Sequence, residues 1–202
     1  MSPATHLPET GEQMPNFFYF AANSTIHAFE NAARFSDLSI EQNEARFIET
    51  FTKEYPWIED IGIELFGGAV ALFATLRGQK RKRALPMLSG GVNRIAGILV
   101  AIASRKNSVV LIDELENGIF HAHHIAIWRQ LLAFMRSNTS QLFVTTHSLE
   151  FIKALMVAAG KNTDDIALWR ARRGEKGKQH YVQQYVGKDL VAGVRMESDV
   201  RG

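Results

Sequence analysis

The chain has 202 residues and 22.7 kDa, of which 46% are hydrophobic and 22% charged. That size suits one domain or two small ones, and that composition excludes intrinsic disorder, a collagen repeat and a low-complexity protein. With 23 Lys and Arg against 21 Asp and Glu, the net charge of +2 does not imply nucleic acid or an anionic membrane as partner, and the absence of cysteine excludes disulfides and thiolate zinc.

Residues 1–16 are polar, with Pro3, Pro8 and Pro15, and read as a disordered lead-in. Met1 to Gln13 carry Glu9 and Glu12, no Lys or Arg and no apolar core, so no signal peptide is expected there. Phe17 to Ala22 reads as a short buried strand. Helices are expected over Ser24 to Phe35 and Ile40 to Tyr55, the second opened by a Ser39/Gln42 capping box and stopped by Pro56. Two apolar runs, Ile61 to Phe66 and Ala69 to Leu76, joined by Gly67-Gly68, predict a hairpin. The basic segment Arg77 to Arg83 reads as a solvated strand end or, alternatively, a phosphate-contacting patch.

From Leu88 the pattern changes. Leu88-Ser89-Gly90-Gly91 precedes a helix, Val92 to Ala103, that is apolar on nearly every face and should be buried. Its run Ile95 to Ala103 is nine residues long, too short to span a bilayer. Val109 to Ile112 has the composition of a central parallel strand, Ile125 to Met135 is helical, and Gln141 to Thr145 is a second buried strand. Ser148 caps a helix from Leu149 to Ala159. A terminal hairpin follows, Ile166 to Ala171 and His180 to Val186 around a Gly174 to Gly177 turn. The strand–helix alternation between 109 and 159 implies an α/β fold with parallel crossovers.

Three short segments carry chemistry. The strand 109–112 delivers Asp113 and Glu114 to its C-terminal edge, where open α/β sheets place their ligands. Asp113 could hold Mg²⁺ through its waters, and Glu114 could orient and deprotonate an attacking water. The bland alternative is a pair of acids that caps the next turn. Ser89, Gly90 and Gly91, 22 residues before Asp113 at the latest, pair a hydroxyl and close backbone approach with the N–H groups of a helix start. That is a phosphate-binding device, or an ordinary capped turn. His147, just after the second buried strand, could reach a γ-phosphate and its water, or simply be a hydrogen-bonded loop histidine. His121-Ala122-His123-His124 invites a metal reading, yet on a helix start these rings splay apart and no spaced carboxylate completes a site.

Taken in order, these segments resemble the C-terminal half of an ABC-type ATPase, in the non-transporter branch that includes OLD, RecF-type and chromosome-maintenance (SMC) proteins. Leu88 to Gly91 matches the signature motif, and Val109 to Glu114 the Walker B strand. Glu116-Asn117-Gly118-Ile119 with His121 is similar to the D-loop of ABC-like AAA ATPases, and Thr146-His147-Ser148 to the switch-histidine loop. The resemblance is dense over 85–152 and weaker on either side. It implies a P-loop-NTPase-like parallel sheet with flanking helices and small hairpins, divided into a lead-in (1–16), a middle segment (17–87), the motif core (88–159) and a terminal hairpin and tail (160–202). It further implies ATP and Mg²⁺ as ligands and a head-to-tail dimer. There Ser89, Gly90 and Gly91 would touch the partner's γ-phosphate, Asp113 would bind Mg²⁺, Glu114 and His147 would be catalytic, and Asn117 would line the seam. The partner would be a copy of this chain or an intact homologue, with an effector nuclease, DNA and phage defence suggested by analogy alone. A cytoplasmic location, without a membrane, is expected.

One motif does not occur. The pattern G-x-x-x-x-G-K-[S/T], which cradles the β- and γ-phosphates, has no match in the 202 residues. Gly160-Lys161 is followed by Asn162, and the pattern's first Gly would fall at Leu155. The motif order therefore suggests the later part of a longer ATPase domain that needs a P-loop lobe. A non-catalytic regulatory partner of an intact ATPase is the alternative function, and a histidine-dependent metallohydrolase a third.

Overall fold

The computed structural model describes residues 15–23, 27–173 and 180–195. Its centre is a parallel sheet of β1 (Asn16–Phe20), β5 (Ser108–Ile112) and β6 (Gln141–Val144), with β5 in the middle. The register pairs Tyr19 with Leu111 and Leu111 with Phe143, and Phe20 with Ile112 and Ile112 with Val144. Between β1 and β5 the chain forms α1 (Ala28–Ile40), α2 (Glu44–Glu54) and an antiparallel sheet of β2 (Ile58–Phe66), β3 (Ala69–Leu76) and β4 (Arg83–Ala84), then α3 (Gly90–Ser104). Helices α4 (His124–Ser137) and α5 (Leu149–Ala159) flank β6 in sequence. The hairpin β7 (Ala167–Arg173) and β8 (His180–Val186) and then α6 (Gly187–Arg195) complete the order.

Burial explains the arrangement. Every residue of α3 from Ile95 to Ile102 is buried, as its uninterrupted apolar sequence requires. Ser89 caps α3 by accepting the Val92 N–H at 3.4 Å, and Ser148 caps α5 by accepting the Phe151 N–H at 3.1 Å. Gly67 and Gly68 both have positive φ, +61° and +81°, which a two-residue hairpin turn demands. Phe35, Phe47, Phe51 and Tyr55 form a continuous aromatic contact chain inside the core. Burial, with a smaller push from the Glu54 charge, drives the Tyr55 phenol up to about 12.

The structure corrects several sequence expectations. There is no Ser39/Gln42 capping box. Helix α1 runs on through Ser39 because Phe35 and Leu38 keep its buried stripe continuous, and Gln42 turns the chain at φ +57°. Asn43 is the N-cap of α2 and makes no side-chain cap bond. Helix α6 is an addition to the expected elements. Gly187, at φ +51°, ends β8, and Leu190 and Val194, one turn apart, bury themselves beside Ile152. In the basic segment, Lys82 pairs with Glu64 at 2.6 Å and Arg77 lies 3.8 Å from Glu59, so part of its charge is met by acids of β2. Of the lead-in expected over 1–16, Asn16 already belongs to β1, while residues 1–14, like residues 24–26 and the Gly174 to Gly177 turn, lie outside the described residues.

The parallel sheet has two unlike faces. Phe20, Val110 and Ile112 point into the helical core and are at most 5% exposed. On the other face Phe17, Tyr19 and Phe143 are 62%, 61% and 47% exposed. A cleft of about 680 Å³ runs over that second face, between Tyr19, Leu111 and Phe143 on one side and β7 on the other, and ends at Asp113 and His147.

Candidate functional site

The site forms where β5 and β6 end together. The Asp113 N–H donates to the Phe20 carbonyl at 2.8 Å and the Thr145 N–H to the Ile112 carbonyl at 3.0 Å, so the sheet ladder continues one step past each strand. The next residue departs from it. Glu114 has φ +47°, a left-handed conformation that costs a non-glycine residue on the order of 1 kcal/mol or more. The chain turns there, with the Asn117 N–H donating to the Glu114 carbonyl at 3.0 Å.

Hydrogen bonds hold that turn. The Glu114 N–H donates to Thr145 Oγ1 at 2.9 Å, the Thr145 hydroxyl donates to Asp113 Oδ1, and the Asn117 side-chain amide donates to Glu114 Oε2. His147 Nε2 lies 3.8 Å from Glu114 Oε1, too far for a hydrogen bond, and the ring is 88% exposed. Asp113, Glu114, Asn117 and His147, all singled out from the sequence, are thus brought together. Thr145, which opens the segment that holds His147 but carries no expected role, links both acids. Its position between the strand 141–144 and His147 was the available signal.

Ser89 and Gly90 are exposed at the start of α3, whereas Gly91 is buried. A Cβ on Gly91 would lie 2.2 Å from the Gly118 carbonyl oxygen, so this glycine is required for α3 to meet the loop 114–119. Ser89, Gly90 and Gly91 do not line the cleft that Asp113 and His147 enter.

Arg94 carries no expected role, although an arginine in a largely apolar helix is a visible anomaly. Its guanidinium donates to the carbonyls of Ala21 at 3.1 Å, Ala22 at 2.9 Å and Asp113 at 2.9 Å. Burial holds it below its ordinary value, against the opposing pull of Asp113, Glu114 and Glu116. It clamps the ends of β1 and β5 to α3. Glu116 is another residue without a predicted role. Its Oε1 accepts the Thr146 hydroxyl at 2.7 Å and the His147 N–H at 3.0 Å.

The three histidines make different ring contacts, although His121 and His123 share Phe120. His121 meets Phe120, His123 meets Tyr55, and His124 stands edge-on to Phe151. Burial holds His124 below its ordinary value, against the Ile119 backbone and the Glu116 charge. Among the described residues no group of three His, Cys, Asp or Glu side chains could hold a metal. Mg²⁺ does not need one. It keeps most of its waters and takes further oxygens from phosphates, so the Asp113 carboxylate fits it.

Residues 5–153 match the family model described as "AAA domain, putative AbiEii toxin, Type IV TA system". The chain belongs to this AAA-domain family. No curated protein matches the chain significantly. Among solved structures, this AAA domain is similar to one from work on ATP-driven dimerization and DNA-stimulated activation of SMC ATPases. The TM-score is 0.50 at 14% identity, over 83% of this chain and 96% of that one. A second is an SMC head bound to the C-terminal winged-helix domain of ScpA, with TM-score 0.54 and 14% identity over 83% of this chain and 53% of that one. The AAA domain therefore shares the fold of SMC ATPase heads, an α/β architecture with a parallel sheet and flanking helices. No helix among the described residues is long and apolar enough to cross a membrane.

Proposed function

We propose that this AAA domain supplies the Walker B, signature and switch-histidine parts of an ATP-hydrolysing head, completed by a P-loop lobe. The carrying observation is the network that fixes Asp113, Glu114, Thr145 and Asn117 at the strand ends, with the His147 ring 3.8 Å from Glu114. Asp113 would hold Mg²⁺, which when bound supplies charge neutralisation at the β- and γ-phosphates. Glu114 accepts the proton of the attacking water and orients it along the line of the γ-phosphate. His147, whose ring is exposed, donates a hydrogen bond to a γ-phosphate oxygen. Ser89 and Gly90, exposed on the helix start, are free to meet the phosphate of a nucleotide on a second head. The first of the similar SMC structures belongs to work on ATP-driven dimerization, and that likeness supports the same arrangement here. DNA, an effector nuclease and phage defence as the setting stand on family analogy alone.

The lobe must come with the lysine and the backbone cradle this sequence does not contain. The exposed sheet face of Phe17, Tyr19 and Phe143 supports a covering partner, since parallel sheets are normally buried on both sides. Joined to the P-loop lobe of a homologous head, the chain is expected to hydrolyse ATP. Glu114→Gln should then lower kcat by roughly 10²–10⁴-fold, and unchanged turnover would overturn the assignment.

A second reading is favoured by the missing P-loop: a regulatory subunit that lends Ser89 and Gly90 to an intact homologue's ATP. Stimulation of such a homologue by the Glu114→Gln chain, undiminished from wild type, would select it. In both readings the 202-residue chain alone binds Mg-ATP weakly, and tight binding by calorimetry would contradict both.

A further inference from the structure

The loop 114–119 touches every part of the site. Asn117 bonds Glu114, the Gly118 carbonyl sits against Gly91 of α3, and Glu116 bonds the switch loop. Of these contacts the last is unlike the others. One carboxylate oxygen takes both the Thr146 hydroxyl and the His147 N–H, while Oε2 of Glu116 is closed to solvent and has no hydrogen-bond partner among the described residues. A carboxylate oxygen so placed is costly to keep. Both bonds that the residue makes through Oε1 go to one short segment.

That segment holds itself through the same atoms. Thr146 Oγ1 also accepts the Ser148 N–H at 3.0 Å, and Ser148 caps α5. The His147 ring, in contrast, is 88% exposed and makes no hydrogen bond to Glu114. Its position is set through its backbone, and Glu116 holds that backbone.

We infer that Glu116 is a positioning residue for His147, coupling the seam loop to the switch histidine. This rests on the ATPase reading above. Any displacement of the loop 114–119, such as a second head pressing on Asn117 and Gly118, moves the acceptor of the His147 N–H and so moves the ring relative to Glu114. Arrival of a partner thereby sets the histidine, without either residue touching the partner's nucleotide.

Hydrogen exchange at the His147 amide of the 202-residue chain tests the bond directly. Glu116→Ala should speed it at least about 10-fold, whereas Glu116→Gln, which keeps an oxygen acceptor, should leave it protected. In the chain joined to a P-loop lobe, Glu116→Ala should lower kcat by roughly 10–100-fold with KM for ATP little changed. Glu116→Gln should restore most of that loss, and Thr146→Val should reproduce a smaller part of it. Unchanged amide protection in Glu116→Ala, or a Gln variant as impaired as the Ala variant, overturns the inference. If Glu116→Ala does not fold, Thr146→Val decides: unaltered exchange and unaltered kcat count against it. Should the wild-type assembly hydrolyse no ATP, the ATPase reading fails, while the amide exchange still decides the role of Glu116.

Discussion

Tyr19 and Phe20 are neighbours on one strand, yet Tyr19 is 61% exposed and Phe20 only 5%. Their partners across the sheet repeat the contrast. Ile112 beside Phe20 is buried, whereas Leu111 beside Tyr19 opens onto the cleft with Phe143. Both faces are apolar, so hydrophobicity does not distinguish them. The difference is that helices bury one face, whereas among the described residues the other is met across an open cleft by β7 and Ile152 of α5. The same strands carry Asp113 and Thr145 at their ends, so the uncovered face leads directly to the candidate chemistry.

The largest effect should come from removing a covered side chain. Phe20→Ala is expected to destabilise the chain by about 3–5 kcal/mol in urea or thermal unfolding, the usual cost of emptying a packed aromatic site. A loss below about 1 kcal/mol would mean that the helical face is no better packed than the open one.

An intermediate effect should appear at alkaline pH. The Tyr55 phenol, 3% exposed, is raised from 10.0 to about 12 by burial. Because the folded state holds this proton more tightly, its contribution is whole below pH 10 and is lost as pH rises towards about 12. The loss is on the order of 2 kcal/mol by linkage, and Tyr55→Phe should flatten the curve in that window. An identical pH profile in the variant would show that the aromatic core is wetter than its geometry.

The smallest effect on stability should be on the open face. Tyr19→Ser with Phe143→Ser should change unfolding free energy by less than about 1 kcal/mol while reducing binding to a P-loop lobe. A destabilisation comparable to Phe20→Ala would erase the distinction between the faces.

Much of this was legible in the sequence because it is local. The apolar run of α3, the β-branched strand before Asp113, the Gly67-Gly68 turn and the caps at Ser89 and Ser148 each depend on residues a few positions apart. The capping box at Ser39 failed for the same reason in reverse. A local motif matched, but burial of Phe35 and Leu38 kept α1 going through it. Helix α6 was readable in the spacing of Leu190 and Val194, although its partner Ile152 was not.

By itself the sequence determined the fold class, the order of the strands along the chain, and Asp113, Glu114, Asn117 and His147 as the residues to watch. The missing phosphate cradle is equally a fact of sequence. Tertiary structure alone decided how those residues are held. Arg94 reaches carbonyls 72 and 73 positions away, Thr145 joins two acids some 30 positions before it, and Glu116 bonds a loop 30 and 31 positions on. Only tertiary structure, too, separated a covered face from an open one. Alternation along a strand names two faces, but burial depends on what packs against each, and that is settled by elements distant in the chain.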